Sequence, residues 1–364
     1  MKRLLLVVGT RPNYIKVTQF KKVAEEKFNN AFDIKIVHTG QHFDKAMADD
    51  FFRQLDIYPN YALNIPQSSA NNQIGEIIIR LEDVVNTFKP HLMIVPGDVN
   101  STLAAGITAN KMGVPLAHLE SGLRSFDRTM PEEINRLLVD EITDHFFVTE
   151  QSGVDNLIKE GKSQDKIHFV GNTMIDTLVA FQDNIQDQNV LDTYDLKKNE
   201  FILMTIHRPA TVDHKEGLSQ LCDLLARLGK TNTIVFPMHP RTLNNIEKFG
   251  LKDKFENITN LIKIGPLDYF SFQNLIHNCK MVITDSGGIQ EETTFKQKPC
   301  LTLRPNTERP STTEIGSNTL LNFEIDTILE YVDNIQNGTY KKGEIPRYWD
   351  GQATERILGV IQGL

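Results

Sequence analysis

Eleven short apolar runs set the strongest constraint on how this chain can fold. They occupy residues 4–8, 34–37, 92–95, 116–119, 146–148, 167–170, 201–206, 233–236, 261–264, 281–284 and 300–303. Most are separated by stretches of helical period, such as 74–88 and 217–228. Buried strands alternating with amphipathic helices predict parallel sheets covered on both faces. Eleven runs are many for one open sheet, and 364 residues exceed one typical core. The expected fold is therefore α/β, with two Rossmann-like doubly wound domains. The polar segment 182–199 holds few large apolar residues and reads as the hinge region, and 352–364 reads as a final helix after the loop 346–351.

Residues 281–310, MVITDSGGIQEETTFKQKPCLTLRPNTERP, carry the clearest site signal. An apolar strand ends in Asp285, Ser286, Gly287 and Gly288, and a helical pattern follows from Ile289. Small residues between a strand and a helix expose backbone N–H groups at a positive helix end, where a phosphate can approach. Glu291 and Glu292 are expected in the first turn, and a carboxylate one turn in could accept both hydroxyls of a ribose. Lys298-Pro299 stops the helix, and the next strand leads to Arg304 and Arg309. Arg309 offers a planar cation to a diphosphate. An ordinary β–turn–α unit is the plain alternative for Ser-Gly-Gly taken alone.

Other strand ends carry charged groups, and ligands of open α/β sheets bind at the carboxyl ends of strands. GTRPNYIK (9–16) places Arg11 directly after the first strand and Lys16 further along. PGDVNST (96–102) places Asp98 past another strand, though Asp there also suits a helix N-cap. In HLESGLRSFDRTMPEEINR (118–136), Glu120 closes a strand and Pro131 starts a helix with Glu132 and Glu133 in its first turn. Arg136 lies four residues from Glu132 and is expected to pair with it. Acids from neighbouring strands can converge and raise one another's pKa, giving an acid and a base. His207 and Arg208 end a strand of the second half, and His239 with Arg241 repeats that pattern. The plain alternatives are surface charge at helix starts and a buried neutral histidine.

The net charge of −8 and the pI near 5.7 argue against a nucleic-acid or anionic-membrane partner. Three cysteines at no metal-ligand spacing suggest a reducing, cytoplasmic setting and no metal. The apolar run after Met1-Lys2-Arg3 is too short for a secretion signal, and no segment is long enough to span a membrane. GxGxxG is absent, so no nicotinamide cofactor is expected; HEXXH, GxSxG and Walker A patterns are absent too.

Over essentially its whole length the chain resembles the non-hydrolysing UDP-N-acetylglucosamine 2-epimerase family. The likeness is carried by GTRPNYIK, HTGQHFD (38–44), PGDVNST, HLESGLRSFDRTMPEEINR, FVGNTMIDTL (169–178), HRP (207–209), TDSGGIQEE (284–292) and TERP (307–310). The resemblance implies a GT-B-like fold with an active-site crevice between the domains. It implies domains of about 1–175 and 176–351, with helix 352–364 returning to the first. It implies a homodimer that interconverts UDP-GlcNAc and UDP-ManNAc without cofactor. By the same resemblance Arg11, Lys16, Asp98, Glu120, Glu132, Arg136 and His207 line the reaction centre. Ser286, Gly287, Gly288, Glu292 and Arg309 hold UDP, and Phe272 lies near the uracil. The chain departs from the family pattern at Asn13, at Pro209-Ala210-Thr211, and in SSANNQIGEII (68–78), which lacks the arginine that some relatives use to hold a second, regulatory UDP-GlcNAc.

The chemistry fits those residue types. The C2 hydrogen of a glycosyl phosphate is not next to a carbonyl. Expelling UDP first builds positive charge at C1 and acidifies that hydrogen, giving 2-acetamidoglucal; readdition of UDP at C1 with protonation of C2 on the opposite face inverts C2. Expulsion calls for cations on the diphosphate, and inversion for acids or bases on two faces. Which acid serves which face stays open. A hydrolysing 2-epimerase, a 2-epimerase for a modified UDP-sugar, a GT-B glycosyltransferase and a nucleotide-sugar sensor remain alternatives.

Overall fold

A computed structural model describes residues 1–40 and 51–364. Gln41 to Asp44 of HTGQHFD fall outside the described residues. The chain forms two compact units, one of Met1–Ala180 with Arg347–Leu364 and one of Phe181–Pro346.

The first unit holds β1 (Lys2–Val8), β2 (Phe32–His38), β3 (Tyr61–Ala62), β4 (Leu92–Pro96), β5 (Leu116–Leu119), β6 (His145–Val148) and β7 (Ile167–Phe169). They form one sheet in the order β3-β2-β1-β4-β5-β6-β7, with every pair parallel. Leu5 and Val7 of β1 and Met93 and Val95 of β4 point into one core, with Ile77, Leu81 and Val84 of helix Ala70–Phe88. Helix Asn100–Met112 adds Leu103, Ala104 and Ala105 to the same core. Leu4 and Leu6, on the other face of β1, are fully buried too. Burial on both faces is why these strands read as continuous apolar runs.

The second unit holds β8 (Phe201–Thr205), β9 (Thr233–Pro237), β10 (Leu261–Ile264), β11 (Met281–Thr284), β12 (Cys300–Leu303) and β13 (Asn318–Leu321). Their order is β10-β9-β8-β11-β12-β13, again all parallel. Alternate residues of β8 serve opposite cores. Ile202 and Met204 meet the leucines of helix Lys215–Leu228, while Phe201 and Leu203 meet Leu275 and Ile276 of helix Tyr269–Asn278.

Each sheet reverses its winding once, between β1 and β4 and between β8 and β11. Loops leaving neighbouring strands part at such a point and leave room for a ligand. GTRPNYIK and PGDVNST flank the first reversal, HRP and TDSGG the second.

Two strands carry no readable run in sequence, β3 with two residues and β13 with the mixed stretch Asn-Thr-Leu-Leu; both lie at sheet edges. Segment 182–199 folds with the second unit. Val190 and Leu196 enter its core, and the Asn274 side chain donates to the Ile185 carbonyl at 2.8 Å. Helix Ala353–Gly363 packs in the first unit against helices Gln19–Lys27 and Thr173–Ala180. The buried Asp176 carboxylate accepts from the N–H groups of Ala353 and Thr354 at 3.0 and 2.6 Å, satisfying the open start of that helix. At its other end Lys2 Nζ donates to the Ile361 carbonyl at 2.8 Å. No helix among the described residues is long and apolar enough to cross a membrane.

Candidate active site

At the first reversal point the acids are held by cations. Pro12 at the first turn of the short helix Arg11–Ile15 pre-sets its backbone. Asn13 ties that turn to both strands. Its Oδ1 accepts from the Gly9 and Thr10 N–H groups, each at 3.2 Å, and its Nδ2 donates to the Pro96 carbonyl at 3.1 Å. Thus the amide at this family departure has a defined structural job. Lys16, buried, reaches Glu120 Oε2 at 2.7 Å. Gly97, at φ +68°, lies beneath this pair. A Cβ there would meet Lys16 Nζ at 3.2 Å and Asn13 Nδ2 at 3.4 Å. Glu120 itself sits at φ +69°, a conformation that costs a non-glycine residue about 1–3 kcal/mol. Its N–H bond to the Phe147 carbonyl at 3.0 Å and its buried ion pair hold it there.

Asp98 is partly exposed and ion-pairs with Arg136, while Asn135 Nδ2 donates to its carbonyl at 2.8 Å. Arg136 also pairs with Glu133 at 2.8 Å. The pairing of Arg136 with Glu132 expected from sequence is therefore corrected to Glu133 and Asp98. Residues three and four apart share a helix face, and burial favours the inward Glu133. That carboxylate accepts from Ser125 N at 2.9 Å, Ser125 Oγ at 2.8 Å and Phe126 N at 3.0 Å, fixing the preceding loop. Glu132 is exposed in the first turn of helix Pro131–Glu141. Arg11 is exposed, with its guanidinium 6.0 Å from the Phe51 ring centroid.

At the second reversal point the roles are exchanged, and cations are held by acids. Asp285 is buried at the end of β11. It accepts from the His207 and Arg208 N–H groups at 2.9 and 2.8 Å, and its Oδ1 lies 2.8 Å from His207 Nδ1. Burial disfavours its charge, but these bonds hold the carboxyl below the usual range. A carboxylate on Nδ1 fixes the ring and leaves Nε2 to face outward, and the His207 side chain is 57% exposed.

Helix Gly287–Phe295 begins at Gly287, with Ser286 as an N-cap that makes no side-chain cap bond. Glu291 and Glu292 therefore stand in the second turn, not the first as expected. Glycine is a poor helix former in sequence terms, yet Gly287 and Gly288 supply the first turn here. A Cβ on Gly287 would lie 3.1 Å from Arg309 Nη1 and 3.7 Å from Arg304 Nη1. The glycine thus lets two guanidinium groups close on an uncapped helix start, an arrangement suited to phosphate. Arg309 pairs with Glu291 at 2.9 Å and Glu308 at 3.3 Å, and Arg304 grips Glu308 through both nitrogens at 2.9 and 3.1 Å. Glu292 is buried, and burial pushes its carboxyl up to about 7 against the opposing influence of Gln273 and Lys296. Phe272 is half-buried and packs on the core that contains Ile289 and Val190.

The structure thus brings together Lys16 with Glu120, Asp98 with Arg136, and Gly287 with Arg309. His239 and Arg241 instead serve local roles. His239 caps helix Pro240–Lys248 by accepting from Arg241 N, and Arg241 pairs with Asp213. Sequence reasoning missed Asn13 as the tie between two strand ends, and Glu133, Asp285 and Glu308 as holders of site residues; these last three each stand beside a residue it did single out. No group of three or more His, Cys, Asp or Glu among the described residues is placed to hold a metal.

The profile of the UDP-N-acetylglucosamine 2-epimerase family matches residues 24–362. A UDP-N-acetylglucosamine 2-epimerase of Methanococcus maripaludis is 37% identical over 376 aligned positions, covering 100% of this chain and 99% of the relative. A UDP-2,3-diacetamido-2,3-dideoxy-D-glucuronate 2-epimerase of Pseudomonas aeruginosa is also 37% identical, covering 100% of both. The crystal structure of a Methanocaldococcus jannaschii UDP-GlcNAc 2-epimerase in complex with UDP-GlcNAc and UDP superposes with a TM-score of 0.90 at 35% identity, over 100% of both chains. Matched from strand to strand and along nearly its full length, the chain belongs to the UDP-N-acetylglucosamine 2-epimerase family.

Proposed function

We propose that this protein interconverts UDP-GlcNAc and UDP-ManNAc by inverting C2, through elimination of UDP and its readdition to 2-acetamidoglucal. One observation carries the proposal. The two reversal points are equipped in opposite ways, one with ion-paired acids and the other with guanidinium groups over an uncapped helix start. Elimination calls for both, a base at C2 and cations on the departing diphosphate. Arg309 and the backbone around Ser286, Gly287 and Gly288 would take the phosphates, with Glu292 on the ribose and Phe272 near the uracil. His207, oriented by Asp285, would donate from Nε2 to the leaving oxygen. Asp98, Glu120 and Glu132 would remove and return the C2 proton. Arg11 and Lys16 would steady the charge that builds during expulsion, and Arg136 would hold Asp98.

The same proposal has the enzyme working without metal or nicotinamide, as a cytoplasmic homodimer, and supplying ManNAc-type sugars for cell-surface polysaccharide. Incubation of purified protein with UDP-GlcNAc alone, followed by proton and phosphorus NMR, tests it. UDP-ManNAc should accumulate to an equilibrium mixture. Free ManNAc with stoichiometric UDP would make it a hydrolysing enzyme, and no reaction without an added acceptor would favour a glycosyltransferase.

A second reading has one specific support. The Pseudomonas relative named for a diacetamido-glucuronate sugar is as similar as the relative named for UDP-GlcNAc. In that reading the chain inverts C2 of a UDP-sugar substituted further at C3 and C5. Parallel assays with both substrates separate the two by kcat/KM.

A further inference from the structure

His118 lies on β5, fully buried, two residues before Glu120. Each of its ring nitrogens faces an oxygen at 2.7 Å, Nδ1 the Asp140 carboxylate and Nε2 the Gly97 carbonyl. A carbonyl only accepts, so Nε2 must carry a proton. Asp140 is claimed on its other oxygen by Arg124 Nη1 at 2.7 Å and by the Gly122 N–H at 3.0 Å. A guanidinium and an N–H on that oxygen favour the ionised carboxylate independently of His118. An ionised carboxylate also only accepts, so Nδ1 must carry a proton as well. Arg124 in turn grips Glu160 at 2.6 and 2.8 Å. With both protons on the ring, the quartet His118, Arg124, Asp140 and Glu160 sums to zero. With one, the bare Nδ1 lone pair would face the Asp140 carboxylate at 2.7 Å with no proton between them.

We propose that His118 is a buried imidazolium that clamps the Gly97 carbonyl and thereby positions Asp98 and the Lys16–Glu120 pair. Gly97 is the hinge of the effect. Its left-handed backbone sets the direction in which the next residue, Asp98, leaves the sheet, and its missing side chain is the floor under Lys16 and Glu120. His118 touches none of the groups proposed to meet substrate, so it is a positioning residue; that role rests on the epimerase proposal, whereas its protonation does not.

The wild-type protein, labelled with ¹⁵N, gives the first test. At pH 7 both ring nitrogens of His118 should resonate in the imidazolium range, each with a slowly exchanging proton; His118→Phe assigns the signals by their loss. A bare ring nitrogen overturns the assignment, whether or not the protein is an epimerase. The second test is the kinetic split in His118→Phe. Turnover should fall by about 10²-fold, the cost of a misplaced catalytic group, while UDP affinity by calorimetry stays within about twofold. Wild-type turnover in that variant, or loss of UDP affinity together with turnover, overturns the positioning role. A wild-type protein that does not epimerise at all refutes the epimerase proposal and leaves the NMR result to decide the charge of His118.

Discussion

The two units share one scaffold and exchange the roles of acid and cation at its strand ends. In each, a parallel sheet reverses its winding once, and the site residues leave the strands beside that reversal. In the first unit Lys16 and Arg136 hold Glu120 and Asp98; in the second, Glu291 and Glu308 hold Arg309 and Arg304. The strand cores differ little in kind, being runs of Leu, Ile, Val and Met buried on both faces. Chemistry is therefore decided by a few residues at the strand ends and not by the fold, which many unrelated activities share. The ion pairs also explain how like charges stay gathered at each site, since each buried charge has an opposite partner.

The contrast can be broken most forcefully from the acid side. Asp98→Asn and Glu120→Gln should each slow epimerisation by about 10²–10⁴-fold, the usual loss of a general acid or base. UDP affinity measured by calorimetry should persist in both. Parallel loss of UDP binding would mean that the two sites do not divide the work as described.

Glu292 tests the second site from the opposite direction, as a buried acid in the helix that starts at Gly287. Its folded-state pKa of about 7 lies above its ordinary value of 4.5. Its stabilising contribution is therefore complete below pH 4.5 and is lost as pH rises through 7. At about 1.4 kcal/mol per unit, wild type should lose up to about 3 kcal/mol relative to Glu292→Gln across that window. Urea midpoints at pH 4.5, 6 and 8 measure it; parallel pH profiles for the two proteins would show that Glu292 ionises freely.

Arg309→Ala should weaken UDP binding by roughly 1.5–3 kcal/mol, the scale of a charge-assisted bond lost. The smallest effect belongs to the decoy. Arg241 stands at a strand end like the others but pairs with Asp213 at the surface. Arg241→Ala should leave turnover and UDP affinity unchanged and cost at most about 1 kcal/mol in stability. A clear loss of UDP binding there would extend the second site beyond the β8–β11 reversal.

How far these sites could be read in advance depended on range. Asp98, Glu120, His207 and the Ser286-Gly287-Gly288 turn were legible as candidates because each lies within three residues of the end of an apolar run, and strand ends are where such sheets bind ligands. The strands themselves were legible for the same reason, except β3 and β13, whose edge positions demand little apolar surface. Partner choice was not legible. Glu132 and Glu133 are both within reach of Arg136 along a helix, and only the fold turns Glu133 inward onto Ser125 and Phe126. The His118–Asp140 contact spans 22 residues and joins a strand to a helix, so no local pattern announces it. Segment 182–199 misled because three buried residues, Ile185, Val190 and Leu196, suffice to anchor a stretch that is otherwise polar.

Deuterium uptake tests the elimination most directly. Wild-type protein given UDP-GlcNAc in D₂O should place deuterium at C2 of both UDP-GlcNAc and UDP-ManNAc, because the abstracted proton exchanges with solvent before C2 is reprotonated. UDP-ManNAc formed under full turnover with only protium at C2 would contradict the account.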